Sequence, residues 1–302
     1  MPAINLAKKT INEFIDDDCP SMAAALAYYT AFSLPGLLLI VLKVAGSVFG
    51  EQAISGSLDE QISGLIGPQA ARQVQTMIGS VATSEAGGLT AWFGILTLIF
   101  GATTAFAQLQ NALNRAWEVM PDPKSAGWKN FVTKRLLSFG LILGIAFLLM
   151  VSLVVSAMVA AFGHMLEQWL PSVLTGGLLL AVNYTVTLAV LTALFAAIYR
   201  VMPDAVVSWR DVTVGAFATA ILFVLGKFAV GMYLGNSDVG SAFGAAGSLA
   251  IILVWIYYSS NIILLGAEFT QVWAQDHGHG IEPEPGAVHF VKRVEMEPEP
   301  AH

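Results

Sequence analysis

Charged residues are scarce in this chain of 302 residues. Lysine and arginine supply 14 residues and aspartate and glutamate 21, so 12% of the sequence is charged, about half of the ~25% usual in a soluble domain. Hydrophobic residues make up 56%, and the mean hydropathy is +0.70. Because a soluble fold of this size needs a more polar surface, the composition excludes a soluble enzyme, a disordered protein and a secreted disulfide scaffold. It indicates a polytopic membrane protein.

Residues suited to metal or phosphate chemistry are also rare. Cys19 is the single cysteine, which excludes an intrachain disulfide and a cysteine zinc site. His277 and His279 flank a glycine, but with no further ligand nearby we interpret them as part of a solvated tail. No glycine-rich loop ends in Gly-Lys-Ser/Thr, so no ATP site is predicted, and a net charge of −7 does not suit nucleic acid. We expect no metal, no cofactor, no nucleic-acid partner and no enzymatic activity.

Long hydrophobic runs, by contrast, are abundant. A helix needs about 20 apolar residues to cross a hydrocarbon core ~30 Å thick. Six stretches reach that length: 22–45, 89–112, 136–162, 176–200, 211–233 and 245–273. We therefore predict an all-α membrane protein whose domain 21–275 contains six transmembrane helices.

Three segments outside these spans have their own patterns. Residues 1–20 predict an amphipathic helix on the inner membrane surface, with Ile4, Ile11, Phe14 and Ile15 on one face. Segment 46–88 predicts an external amphipathic helical hairpin broken at Gly67, and the alternative is a plain linker. Segment 276–302 is rich in proline and glutamate and predicts a disordered acidic cytoplasmic tail.

The basic residues predict the orientation. With a cytoplasmic N-terminus, the external segments contain only Arg72, and Lys43 and Lys227 lie within spans. The internal segments contain all the others: Lys8, Lys9, Arg115, Lys124, Lys129, Lys134, Arg135, Arg200, Arg210, Lys292 and Arg293. By the positive-inside tendency, both termini are expected in the cytoplasm.

A four-residue sequence, Val-Met-Pro-Asp, occurs twice. It begins at Val119 and at Val201, each time between two predicted spans and followed by a tryptophan, Trp128 or Trp209. One interpretation is a parallel duplication of a two-helix unit, as in some transporters. The alternative is shared boundary chemistry, since proline stops helices and tryptophan with Lys/Arg is typical of membrane interfaces.

Polar residues at membrane depth are the candidate site residues, because they must be satisfied by packing contacts or line a pathway. The candidates for a substrate cavity are Lys43, Lys227, Thr97, Thr104, Gln108, Asn111, Asn183, Tyr257, Asn261 and Glu268. The polar stripe along the second span can equally serve helix packing. Glu268 falls near the inner end of the sixth span, within reach of Arg115 or Arg200. Lys43 and Lys227 either extend to the outer interface or attract an anionic head group.

Five stretches resemble the YihY/virulence factor BrkB family: Ala23–Pro35, Gln108–Trp117, Gly244–Leu249, Trp255–Tyr258 and Gly266–Thr270. The resemblance runs from about residue 10 to 275 and omits the acidic tail. It implies a bacterial inner-membrane protein with six spans. The family's older label, ribonuclease BN, implies a nuclease that the histidines and carboxylates of this sequence do not support. The resemblance supplies no catalytic residues.

Two functions from different classes fit these observations. We favour a transporter or flippase-like carrier of a lipid or amphipathic envelope precursor, with membrane lipids, including anionic head groups, as partners. Without an ATP motif, such a carrier would need an ion gradient or a separate partner. The alternative is a membrane scaffold or envelope assembly factor that transports nothing, in which the polar stripes only pack helices. A homo-oligomer is compatible with either function.

Overall fold

The computed structural model describes residues 3–33, 72, 104–123, 172–236, 247–278 and 280–290. Most of them lie in six helices and four short strands. The helices are α1 (Ala3–Asp16), α2 (19–33), α3 (104–116), α4 (Ser172–Val201), α5 (Trp209–Asn236) and α6 (Gly247–His277). The strands are β1 (Val119–Pro121), β2 (Ala205–Val206), β3 (Glu282–Pro283) and β4 (Ala287–His289).

Helices α4, α5 and α6 confirm the last three predicted spans as long apolar helices. Within them, Leu179–Val201, Trp209–Met232 and Leu249–His277 are long and apolar enough to cross a membrane. Helices α2 and α3 coincide with parts of the first and second predicted spans. The third span and the 46–88 hairpin, apart from the helical Arg72, lie outside the described residues. The count of six spans therefore stays a prediction.

Local sequence explains where these helices begin. Asp18 has a φ of 56° and accepts hydrogen bonds from the backbone N–H groups of Ser21 and Met22, so it caps α2 while α1 ends two residues earlier. Ser208 caps α5: its hydroxyl accepts the N–H of Asp211 at 3.2 Å and donates to the Asp211 carboxylate at 2.7 Å. The serine hydroxyl therefore satisfies a free N–H of the first turn, and the Asp211 carboxylate holds that hydroxyl in place.

Small residues set the distance between α5 and α6. Gly215 lies against Thr270 and Gly266 lies against Thr219, so each helix has a glycine opposite the other's threonine. Both threonine hydroxyls donate to a carbonyl one turn earlier in their own helix, at 2.7 Å from Thr219 to Gly215 and 2.6 Å from Thr270 to Gly266. The backbones can therefore approach closely without leaving a hydroxyl unsatisfied.

The four strands correct the prediction for the tail. Residues 280–290 are ordered: β4 pairs antiparallel with β1, placing Met120 opposite Val288, and β3 pairs antiparallel with β2, placing Ala205 opposite Pro283. The prediction of a disordered tail over 276–302 is therefore wrong for 280–290, and residues 291–302 lie outside the described part. Hydrogen bonds to distant backbone supply the order that this proline-rich segment cannot obtain from apolar burial.

Candidate functional site

One end of the helices carries the strands, the start of α2, the end of α3 and the end of α6. We call it the strand end. Its polar contacts centre on Asp204, between α4 and α5. The Asp204 carboxylate accepts hydrogen bonds from the amide of Gln110 at 3.0 Å and of Asn114 at 2.8 Å, and its backbone N–H donates to Oδ1 of Asn114 at 2.8 Å. Asp204 and Asn114 are each 4% exposed. This buried network joins α3 to the connection between α4 and α5.

Glu268, near the end of α6, is a carboxylate with no exposed surface. Its Oε1 accepts a hydrogen bond from the thiol of Cys19, in the first turn of α2, with 3.3 Å between Sγ and Oε1. Its Oε2 has no hydrogen-bond partner among the described residues. Burying a carboxylate oxygen without a donor is costly. This oxygen is therefore a buried polar atom of the strand end that is well placed to accept a proton.

The surroundings of Glu268 are acidic. Asp17, buried in the turn between α1 and α2, interacts electrostatically with Glu268, as do Glu13 and Glu118. Burial raises the pKa of Glu13; Lys9 opposes this rise, and Glu118 and Asp17 add to it. Glu13 is half-buried and Glu118 is exposed, so this group of carboxylates extends from the buried Glu268 and Asp17 to the surface. The group lies at the end of the bundle where α1 meets α6, next to solvent.

Aromatic side chains fix the position of this part of α6. The indole N–H of Trp117 donates to the carbonyl of Ala267 at 3.0 Å, directly beside Glu268. The Tyr199 hydroxyl donates to the carbonyl of Ile263 at 2.7 Å, and its oxygen lies 3.0 Å from the hydroxyl oxygen of Thr219. The rings of Trp117 and Tyr199 are 6.2 Å apart. The indole of Trp117 and the phenol of Tyr199 thus each bind a buried backbone carbonyl of α6, and these bonds fix the position of α6 relative to α3 and α4.

Neither arginine considered as a partner for Glu268 forms an ion pair with it among the described residues. Arg200 instead donates to the carbonyl of Val207 and lies over the Trp209 ring at 5.6 Å. Arg115 has its Nε buried and without a hydrogen-bond partner in the described part of the chain. Oε2 of Glu268 thus remains without a hydrogen-bond donor among the described residues.

The other predicted site residues are dispersed. Lys43 and Thr97 lie outside the described residues, so no shared outer cavity with Lys227 can be described; Lys227 is half-buried on α5. Thr104 and Gln108 are half-buried on α3, and Asn111, Asn183 and Tyr257 are exposed. Asn261 donates to the carbonyl of Tyr257 within its own helix at 2.8 Å. Among the candidates that lie in the described residues, the structure places Glu268 at the polar strand end and does not gather the others around it.

Sequence reasoning missed Cys19, Gln110, Asn114 and Asp204 as site residues. Following a three-to-four-residue stripe through Gln108 and Asn111 selected one face of α3, whereas the buried amides are on the neighbouring face. The sequence did contain a signal for them: Gln110 and Asn114 have i, i+4 spacing, and the repeated Val-Met-Pro-Asp sequence contains an aspartate.

The histidine at the end of α6 has an aromatic contact: His277 stacks on Trp273, with 4.1 Å between ring centroids. Among the described residues, no three His, Cys, Asp or Glu side chains form a group that could hold a metal ion.

Comparison with known proteins identifies relatives that cover most of this chain. The chain matches the family described as Virulence factor BrkB over residues 10–289, which includes β3 and β4 and so extends beyond the expected end at 275. It is 30% identical over 269 residues to a UPF0761 membrane protein of Psychrobacter sp. (strain PRwf-1), covering 88% of this chain and 48% of that protein. It is 29% identical over 280 residues to a UPF0761 membrane protein of Stenotrophomonas maltophilia (strain R551-3), covering 90% and 61%.

A UPF0761 membrane protein of Pseudomonas aeruginosa (strain LESB58) is 28% identical over 266 residues, covering 87% of this chain and 61% of that protein. The chain thus spans about half to three fifths of the length of the curated relatives it matches. No solved structure matches it.

Proposed function

Since the chain belongs to the virulence factor BrkB family of membrane proteins, we propose that it is an inner-membrane carrier of a lipid or amphipathic envelope precursor, driven by a proton gradient. The observation that carries this proposal is Glu268: a carboxylate inside an apolar helix, fully buried, with one oxygen unbonded among the described residues. Placing an ionisable residue within a membrane span costs free energy, and such residues in transporters often form proton relays.

The proton gradient is proposed because the sequence has no nucleotide-binding loop. We place the strand end in the cytoplasm, following the distribution of basic residues. Protons would then reach Glu268 from the cytoplasm, past Glu13 and Asp17, and change the contact between Glu268 and Cys19. That contact joins α6 to α2, so proton binding would bias how these helices pack.

Membrane lipid is the partner proposed for α1. Leu6 and Thr10 of α1 are buried, and Lys9 donates to Gln275 of α6 at 2.9 Å, so one face is held against the protein. The other face exposes Ile4, Ile11 and Ile15, which are 81%, 51% and 63% exposed. Phe14, expected on the same face, instead packs partly buried against the core. An apolar stripe beside the end of a span fits the boundary between head groups and acyl chains.

The test uses purified protein in vesicles of phosphatidylcholine and phosphatidylglycerol containing a fluorescent, NBD-labelled phosphatidylglycerol. Dithionite quenches the label in the outer leaflet, so the rate of quenching of inner-leaflet label reports lipid movement. The wild type should exceed protein-free vesicles, and Glu268→Gln should lower the rate about tenfold or more, equivalent to ~1.4 kcal/mol on the limiting step. Glu282→Gln, which alters an exposed carboxylate on β3, should leave the rate unchanged.

The alternative, a scaffold that transports nothing, is favoured by the buried network around Asp204, which joins α3 to the connection between α4 and α5. A scaffold predicts that folded wild-type protein moves no labelled lipid above the protein-free rate. That result would overturn the carrier. Equal reduction by Glu268→Gln and Glu282→Gln would remove Glu268 as its coupling residue.

A further inference from the structure

The segment 282–289 folds as strand, turn and strand and bridges the two Val-Met-Pro-Asp sequences; we call it the C-terminal hairpin, although its strands pair with β1 and β2 and not with each other. One of its strands, β4, pairs with β1, which contains the first copy. The other, β3, pairs with β2, directly after the second copy. Ala287 N–H donates to the carbonyl of Glu284 at 2.8 Å and closes the turn between the strands. The C-terminal hairpin thus ties the end of α3 to the connection between α4 and α5.

Both copies of the repeated sequence use their aspartate in this bridge. The N–H of Asp122 donates to the carbonyl of Gly286 at 2.9 Å, and the carbonyl of Asp204 accepts from the N–H of Glu284 at 3.0 Å. The two aspartates therefore contact residues only two positions apart in the hairpin turn. Whether the repeat arose by duplication or from shared boundary chemistry, the structure gives it a common role as a docking point.

We propose that the C-terminal hairpin is a latch that holds the strand end closed, and that its release lets α3 separate from α4 and α5 there. This rests on the proposed function, since a carrier must open on alternate sides. The hairpin is suited to release because its attachment is a few backbone hydrogen bonds at the surface. Val288 and Met120, which face each other in the pairing, are both 37% exposed. The Asp204–Asn114 contact beneath it is buried and is the second tie to be broken.

The ladder between β1 and β4 identifies which hydrogen bonds to remove. Phe290 N–H donates to Glu118 at 3.0 Å at one end, and Asp122 N–H donates to Gly286 at the other. Because bonded pairs alternate in an antiparallel ladder, the Met120–Val288 pair between them is also bonded, whereas the His289 N–H points away from β1. Val288→Pro therefore removes a latch hydrogen bond, whereas His289→Pro removes no backbone bond from this ladder. His289→Pro does remove the contact of the His289 ring with the Glu118 carbonyl at 3.4 Å, so His289→Ala, which removes that contact alone, is compared with it.

The experiment measures opening without relying on transport. In full-length protein, Ala116→Cys places a thiol at a fully buried site of α3, and Ala220→Cys places one at a fully buried site of α5. Labelling at each position is read by peptide mass spectrometry, which separates it from labelling of the native Cys19. When opening is fast, the rate of maleimide labelling follows the open population. We expect Val288→Pro to accelerate labelling at position 116 at least fivefold. His289→Pro should leave the rate at position 116 unchanged, and position 220 should stay protected in both variants. Equal rates in all three backgrounds would overturn the latch, as would faster labelling at both positions, which would indicate general loosening.

A second variant holds the latch shut. A disulfide between Met120→Cys and Val288→Cys joins a bonded antiparallel pair, whose Cα separation of about 5.5 Å is within the range for disulfides. In the vesicle assay, oxidation should stop lipid movement and reduction should restore it. Movement that is unaffected by oxidation would overturn the latch. If even the reduced protein moves no lipid, the carrier fails, and the labelling rates still decide whether the hairpin closes the strand end.

Discussion

At the scale of single residues, the buried polar atoms at the strand end have two different roles. Asp204 exchanges hydrogen bonds with Asn114 and accepts another from Gln110, which is the pattern of a structural tie. Glu268 has one partner, the Cys19 thiol, and one oxygen unbonded within the described chain, which is the pattern of a group held ready to bind. Similar burial is therefore consistent with a stabilising role for Asp204 and with the proposed proton-binding role of Glu268.

Asn114 and Asn111 provide a matched test of the structural tie. Asn114→Leu removes both contacts to Asp204 and leaves a buried carboxylate with fewer donors, so the free energy of unfolding should fall by about 1–3 kcal/mol. Asn111→Leu alters an exposed side chain one turn away on the same helix and should change it by less than about 0.5 kcal/mol. Thermal unfolding of both variants in the same detergent measures this difference. Equal losses would show that the Asp204 contact contributes nothing specific.

Sequence alone could identify Glu268, because a lone carboxylate in an apolar run is conspicuous. Sequence could not pair Asn114 with Asp204 or Cys19 with Glu268, because the members of these pairs are 90 and 249 positions apart in the chain. Periodicity locates the faces of one helix but gives no information on which face of another helix they meet. Periodicity therefore favours the stripe through Gln108 and Asn111 as much as the neighbouring face that contacts Asp204.

At the scale of elements, the helices were predictable and the strands were not. Runs of about 20 apolar residues predicted α4, α5 and α6 to within a few residues at most of their ends. Strands of two or three residues are too short to show an alternating pattern. The partner of β1 is also far away in sequence, since Val119 pairs with His289 of β4. The prolines at 121 and 283 also argue against strands unless these lie at edges, which is where the structure places them.

Gly266 and Gly231 test whether close helix approach holds α5 and α6 together. A Cβ added at Gly266 would lie 2.9 Å from the Cβ of Thr219 and would overlap the hydroxyls of Tyr199 and Thr219, whereas one added at Gly231 would meet nothing within 4 Å. Gly266→Ala should therefore destabilise the protein by about 1–3 kcal/mol. Gly231→Ala should be neutral or stabilise by up to ~1 kcal/mol, because alanine favours helix. Thermal unfolding in matched detergent would contradict the close approach if both variants changed stability in the same direction.

At the scale of the whole molecule, the strand end combines three features that no single element reveals. A buried carboxylate contacts α2, a polar network joins α3 to the connection between α4 and α5, and a hairpin crosses both Val-Met-Pro-Asp sequences. Together they describe one end of a membrane protein that is closed by contacts of differing strength. Proton binding at Glu268 and release of the hairpin would act on the same end, which is the basis of the proposed carrier.

The most direct test of the proton-driven carrier is the distribution of labelled phosphatidylglycerol under a pH gradient. Wild-type vesicles are compared with and without a gradient of one pH unit, which supplies about 1.4 kcal/mol per proton, and nigericin is then added to collapse it. We predict that the gradient shifts the ratio of outer-leaflet to inner-leaflet label by up to about tenfold for one proton per lipid, that nigericin reverses the shift, and that Glu268→Gln abolishes it. A ratio that is the same with and without the gradient in wild-type vesicles would contradict the proposal.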